Sequence, residues 1–127
     1  MPATVINYIE LPATDLAAAK AFYAATFGWE WVDYGPGYAS HHDAGLEVAL
    51  NGLGTVVPSH PPEAQNGVGP LVLFSTDDLS GIRTDVLAAG GTILSEPYEY
   101  PGGRRFHFLD PSGNVLGVYQ SNADSAD

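Results

Sequence analysis

Two segments of this chain carry the same hydrophobic–polar pattern, 63 residues apart. In the first, a run of alternating apolar positions, Ile6-Asn7-Tyr8-Ile9-Glu10-Leu11, leads through Thr14-Asp15-Leu16 into an alanine-rich stretch that closes at Gly28. In the second, Leu71-Val72-Leu73-Phe74-Ser75 leads through Asp77-Asp78-Leu79 into a stretch that closes at Gly90-Gly91. Asp15 matches Asp78 and Gly28 matches Gly91 at the same offset. The period-two runs predict strands. Leu16, Ala19, Tyr23 and Phe27 recur every three or four residues with Phe22 alongside, which predicts a helix with one apolar stripe. Thr14 or Asp15 supplies its N-cap and Gly28 a left-handed C-cap. Two copies are too few for a solenoid, so each copy must bury its apolar face against the other.

After the first helix the pattern predicts three short strands, at about 29–34, 37–43 and 46–50, separated by the turn sequences Gly35-Pro36-Gly37 and Asp43-Ala44-Gly45. The second copy predicts a strand at about 70–75, a helix from Asp78 to Gly90, and strands at 92–94, 104–109 and 115–119, the last two joined by Asp110-Pro111-Ser112-Gly113-Asn114. Residues 52–69 hold four Gly and three Pro without periodicity and read as a connector. The organisation is one domain over 1–122: module one at about 4–52, a connecting segment at 53–69 and module two at 70–121, followed by a disordered polar tail, 123–127. Each module is βαβββ, with a helix on one sheet face and the other face free. The fold class is therefore α+β, two βαβββ modules whose mixed sheets form a half-open, cupped surface able to hold a ligand.

Composition narrows the function. Fifteen acidic against four basic residues give a net charge of −11, which repels phosphate backbones and anionic lipids and argues against nucleic-acid and membrane partners. The absence of Cys excludes disulfides and thiolate chemistry and fits an intracellular protein. No segment reaches the length of a membrane span and the N-terminus has no signal pattern, so the expected location is cytoplasmic.

On this plan the chain resembles the vicinal oxygen chelate superfamily, the glyoxalase, bleomycin-resistance and extradiol-dioxygenase group. The resemblance rests on Ile9–Leu16, Phe22-Tyr23 and Phe27-Gly28-Trp29 in the first module. In the second it rests on Asp77-Asp78-Leu79, Ala89-Gly90-Gly91 and Phe108–Gly117. It spans about residues 5–121 and implies the fold, but not one activity, because the group includes isomerases, lyases, dioxygenases and drug-binding proteins. Metal-using members carry ligands on the first and last strands of each module. The matching positions here are Tyr8, Leu71, Gly117 and one residue within 47–51, where Glu47 would keep a carboxylate. Leu71 and Gly117 offer no donor and a tyrosine phenol is a poor ligand at neutral pH, so the expectation is that the inherited metal site is absent. The resemblance further implies pairing into a homodimer.

If Tyr8 faces the cup, as the resemblance implies for its matched position, strand parity turns Ile6 and Glu10 inward too, with Leu71, Leu73 and Ser75 from the first strand of module two and Val115, Gly117 and Tyr119 from its last. The expected cup is mostly apolar, with Tyr8, Glu10 and Tyr119 as polar points and Glu47 and His107 as further candidates. Gly117 leaves room at its centre. In such surroundings the Glu10 carboxyl, its pKa raised by desolvation, would be a metal-independent general base; the plainer alternative is a bond to Tyr8, an arginine or the backbone. His41 and His42 point to opposite faces, so at most one joins the cup, and an off-pattern metal site from that histidine, His107 and Glu47 is the competing proposal. Arg104-Arg105 follow a Gly loop, and Arg105 could take a substrate carboxylate; ordinary ion pairing is the bland reading. Trp29 and Trp31 could stack a planar ligand or simply fill the core.

The reading is thus a small-molecule-binding protein without the family metal and without a cofactor, with Tyr8, Glu47, Leu71, Leu73, Arg105, His107, Gly117 and Tyr119 around the ligand and Glu10 as the catalytic candidate. It either sequesters an organic molecule or performs lyase- or isomerase-type proton transfer on it. The alternatives are a divalent-metal glyoxalase- or dioxygenase-like enzyme and a structural or regulatory domain whose cup is filled by its own side chains.

Overall fold

The computed structural model describes residues 4–43, 45–56 and 70–122. Most of the expected connector and the expected tail lie outside these residues. The first module runs β1 (Tyr8–Pro12), α1 (Leu16–Phe27), β2 (Val32–Asp33), β3 (Tyr38–His41) and β4 (Glu47–Asn51). The second runs β5 (Leu73–Ser75), α2 (Leu79–Ala88), β6 (Thr92–Tyr100), β7 (Gly103–Leu109) and β8 (Val115–Ser121). The strands make two four-stranded mixed sheets of matching order, β1-β4-β3-β2 and β5-β8-β7-β6, each with one parallel pair at the end where its module begins. The class is α+β, as the twofold pattern predicts. None of the described helices is long and apolar enough to cross a membrane.

The two helices start alike. Asp15 caps α1 by accepting from the Ala18 N–H, and Asp78 caps α2 by accepting from the Gly81 N–H. Their ends differ, and here the offset misleads. Gly28 closes α1 at φ 74°, but the left-handed residue after α2 is Gly90, at φ 98°. Gly91 serves packing instead. A Cβ there would lie 2.7 Å from Val86 Cγ1 and 2.9 Å from Phe22 Cε1, so only a bare backbone lets the helices approach so closely.

Two strands depart from expectation for physical reasons. β2 shrinks to Val32–Asp33 because Trp29 and Trp31 leave the ladder. Trp29 stacks on Tyr23 at 5.5 Å and on His41 at 5.0 Å, and the Trp31 indole N–H donates to the Lys20 carbonyl at 3.1 Å. β6 grows to nine residues and passes through Pro97. It is an edge strand with register shifts between Ile93 and Tyr98, which is where a sheet tolerates proline.

One core joins the modules. Phe22 and Tyr23 of α1 and Leu79 and Val86 of α2 pack with Leu11, Val48 and Leu50 of the first sheet and Phe106, Phe108, Leu116 and Val118 of the second. The turn between β7 and β8 is tied to the first module by three bonds. The Tyr23 hydroxyl donates to Asp110 at 2.7 Å, Asn114 Nδ2 donates to the Pro12 carbonyl at 2.9 Å, and the Thr14 N–H donates to Ser112 Oγ at 3.0 Å. The helix-facing side chains of both sheets converge on this core, so the alternate residues of every strand form two open faces directed away from it.

Candidate functional site

On the open face of the first sheet, parallel pairing sets Tyr8 opposite Glu47 and Glu10 opposite Ala49. The neighbouring β3 presents Tyr38 and Ser40 beside them. The Tyr38 hydroxyl donates to Glu10 Oε2 at 2.8 Å and Asn51 Nδ2 donates to Glu10 Oε1 at 3.0 Å. With its proton committed to Glu10, Tyr38 accepts from the Tyr8 hydroxyl. Ser40 Oγ donates to Glu47 Oε2 at 2.7 Å, and His42 Nδ1 lies 3.7 Å from the other carboxylate oxygen. This face is a hydrogen-bonded polar array rather than an apolar wall with isolated polar points. Glu10 also departs from the raised pKa expected of it. Its carboxyl is exposed and is held below the ordinary value of 4.5, first by the Asn51 bond and then by the Tyr38 bond. The Tyr38 phenol moves up, chiefly through its bond to Tyr8, then through burial and Glu10. Glu10, Pro12, Asn51, Gly54 and Thr55 frame a small hollow of about 110 Å³.

The open face of the second sheet carries Leu73, Gly117 and His107 in one cross-strand row. Ser75, Tyr119, Arg105 and Tyr98 form the next. Gly117 is where a side chain cannot fit without movement, since a Cβ would meet Leu73 Cδ2 at 2.3 Å. Arg105 Nε donates to the Tyr98 hydroxyl at 2.6 Å, and its guanidinium carbon lies 4.6 Å from the Tyr100 ring centroid. The His107 Nε2 approaches the same Tyr98 hydroxyl at 3.3 Å.

A further cavity lies at the β5 edge. A hollow of about 440 Å³ opens between the first module and the free edge of β5. That size suits a small organic ligand. Its wall includes Phe27, Trp29 and Phe74, with Ile9, Val48 and Val118 beside them. The Phe27 and Phe74 rings are 5.0 Å apart, and Trp29 and Phe74 are 5.5 Å apart edge to face. Residues 72–76 all border it, so the cavity reaches both sides of β5. Val72 and Thr76 bond to β8 through their backbones, at Gly117 and Tyr119. By alternation Leu73 and Ser75 turn their N–H and C=O groups to the other side, toward the cavity. Together with the Ser75, Thr76 and Tyr119 hydroxyls they give an otherwise apolar space its polar points.

The sequence-derived residues therefore divide. Leu73 and Tyr119 line the large cavity. Tyr8, Glu10 and Glu47 gather on the first sheet, and Arg105, His107 and Gly117 on the second. Leu71 is half-buried just before β5. His41 is turned away from all of them, buried against Trp29 with its Nδ1 on the Glu30 carbonyl at 2.9 Å, which leaves His42 as the histidine of that pair on the open face. Among the described residues, no three His, Asp or Glu side chains gather as a metal cluster. Sequence reasoning named Trp29 as a possible stacking residue but missed Tyr38, Asn51, Tyr98 and the Phe27 and Phe74 part of the aromatic wall. The alternation Tyr38-Ala39-Ser40-His41 held the signal for Tyr38, but the registers that bring Asn51 to Glu10 and Tyr98 to Arg105 are set by pairing between distant segments.

This architecture has known counterparts. Residues 5–118 match the model of the Glyoxalase/Bleomycin resistance protein/Dioxygenase superfamily, and the chain belongs to that superfamily. It is 30% identical over 122 residues to the "Putative glyoxylase CFP32" of Mycobacterium tuberculosis, covering 91% of this chain and 45% of the relative. The chain thus spans about half the length of such curated relatives. Among solved structures, a glyoxalase-related enzyme from Fulvimarina pelagi superposes with a TM-score of 0.74 at 23% identity, over 94% of this chain and 89% of the other. TnmS3, an antibiotic-binding protein from Streptomyces sp. CB03234, superposes with a TM-score of 0.71 at 23% identity, over 96% and 99%. At these identities the likeness concerns the fold.

The registers also bear on the positions that the resemblance implies for metal ligands. Gly117 opposes Leu73 and Ala49 opposes Glu10, so the residue matching Gly117 in module one is Ala49 rather than Glu47. Tyr8, Ala49, Leu71 and Gly117 bring one phenol between them. That donor set does not fit a divalent metal.

Proposed function

We propose that this chain binds a small, largely apolar organic molecule in the cavity beside β5 and does so without the metal that some relatives use. The observation that carries the reading is the lining itself: about 440 Å³ walled by Phe27, Trp29, Phe74 and aliphatic side chains, with hydroxyls, among the described residues, at Ser75, Thr76 and Tyr119. Flat aromatic rings and a few hydroxyls suit a planar ligand with a polar edge. Among the described lining residues there is no carboxylate, imidazole or amine to move a proton, which favours sequestration over turnover. The antibiotic binding named for TnmS3 is a precedent for sequestration in this fold. Proton transfer is the second reading. It rests on Glu10, held as a carboxylate beside the 110 Å³ hollow.

The test uses N-phenyl-1-naphthylamine, an uncharged aromatic amine that brightens in apolar surroundings. It should bind the wild-type chain saturably and raise its melting temperature, and Val72→Trp, which fills the cavity, should weaken binding tenfold or more. Dialysis against a chelator should leave the affinity unchanged. Equal binding by both proteins would refute the cavity reading, and a loss restored by a divalent ion would refute metal independence.

A further inference from the structure

We infer that the ligand class is an organic anion, an apolar body with a carboxylate or sulfonate head, and that Arg105 on the open face of the second sheet receives the head. The inference deepens the cavity reading and rests on it. Ser75 and Tyr119 border the cavity, and the row they begin continues across β8 and β7 to Arg105. Arg105 is the direct cross-strand partner of Tyr119, so their Cβ atoms are roughly 5 Å apart on one face. The Tyr119 rim of the cavity and a guanidinium thus lie side by side.

The state of that guanidinium points to an anion. The chain carries fifteen acidic residues, and two of its four basic residues have found partners: Lys20 pairs with Asp33 at 2.6 Å and Arg83 pairs with Glu96 at 2.8 Å. Arg105 makes no ion pair among the described residues. Phenol rings hold it instead. Its Nε donates to Tyr98 at 2.6 Å, and its guanidinium carbon sits 5.5 Å from the Tyr98 centroid and 4.6 Å from that of Tyr100. These contacts fix the plane of the fork through Nε and the ring faces and leave both terminal nitrogens for a bidentate acceptor. A half-buried cation fixed by aromatic rings in so acidic a chain is a site kept for a negative group that the described residues do not supply.

The experiment compares N-phenyl-1-naphthylamine with 1-anilinonaphthalene-8-sulfonate, which has the same aromatic framework plus a sulfonate. The wild-type chain should bind the sulfonate at least tenfold more tightly, with a preference that shrinks as salt is raised. Arg105→Gln should abolish the preference, weakening the anion tenfold or more while shifting the neutral amine less than twofold. Arg105→Lys should recover part of it, because the charge returns without the fork. An unaltered preference in Arg105→Gln, with both probes still displaced by Val72→Trp, would overturn the role of Arg105 and leave the cavity reading standing. Failure of either probe to respond to Val72→Trp would overturn the cavity reading and this inference with it. A change in sedimentation of Arg105→Gln with no change in probe preference would assign the guanidinium to a contact between copies of the chain and likewise overturn it.

Discussion

Glu10 shows how neighbours, more than depth, decide what a carboxylate can do. Both of its oxygens accept bonds, from Asn51 and Tyr38, and these favour the charged form over the slight burial that opposes it. A folded-state pKa below the unfolded value contributes stability that is present above the unfolded pKa and disappears as pH falls through the folded one. The window therefore lies at and below 4.5, and the contribution is small because the group is exposed and screened by solvent. A carbon-detected NMR titration should place the Glu10 midpoint below 4.5, with Asn51→Ala moving it upward more than Tyr38→Phe does. A midpoint above that value would restore Glu10 as a desolvated base. The sequence could not decide this, because Asn51 lies 41 residues from Glu10 and reaches it only through the β1–β4 register.

Among the elements, the helices were the most legible from sequence. Caps, apolar stripe and length all follow local rules, and Asp15 and Asp78 cap as their spacing predicts. Strand ends were less legible because they depend on what lies across the sheet. β2 gives way to tryptophan packing, while β6 extends through Pro97 on an exposed edge. The longer strands of the second module also stretch the repeat, so that Ala49 and Gly117 correspond at 68 residues rather than 63. A fixed offset therefore misassigns late positions to the wrong partner. Gly91 gives the matching test between helices. Adding a Cβ within 3 Å of Val86 and Phe22 overpacks the α1–α2 contact. Gly91→Ala should cost about 1–3 kcal/mol in urea unfolding. A loss under about 0.5 kcal/mol, the range of an ordinary surface substitution, would show that the helices can part there freely.

For the whole molecule, the decisive tie is a single buried carboxylate that belongs to one module and is satisfied partly by the other. Asp110 accepts from the Tyr23 hydroxyl, the Ser112 and Asn114 N–H groups and the Asn114 amide, at 2.7–2.9 Å. The Tyr23 phenol is pushed well up, first by burial and then by the Asp110 charge, so it stays a proton donor. Removing the acceptor strands several buried donors at once, each worth about 1–3 kcal/mol. Asp110→Ala should therefore lose about 3 kcal/mol or more and still unfold in one transition, because both modules share one core. Two separate transitions in calorimetry would mean that each module holds its own fold.

The two tryptophans differ in a way that has a practical consequence. Trp29 borders the cavity beside Phe74, whereas Trp31 keeps its indole N–H on the Lys20 carbonyl and forms no part of the described lining. A chain carrying Trp31→Phe would retain one tryptophan, at the cavity wall, so occupancy by an unlabelled compound could be followed from the protein's own emission on excitation selective for indole.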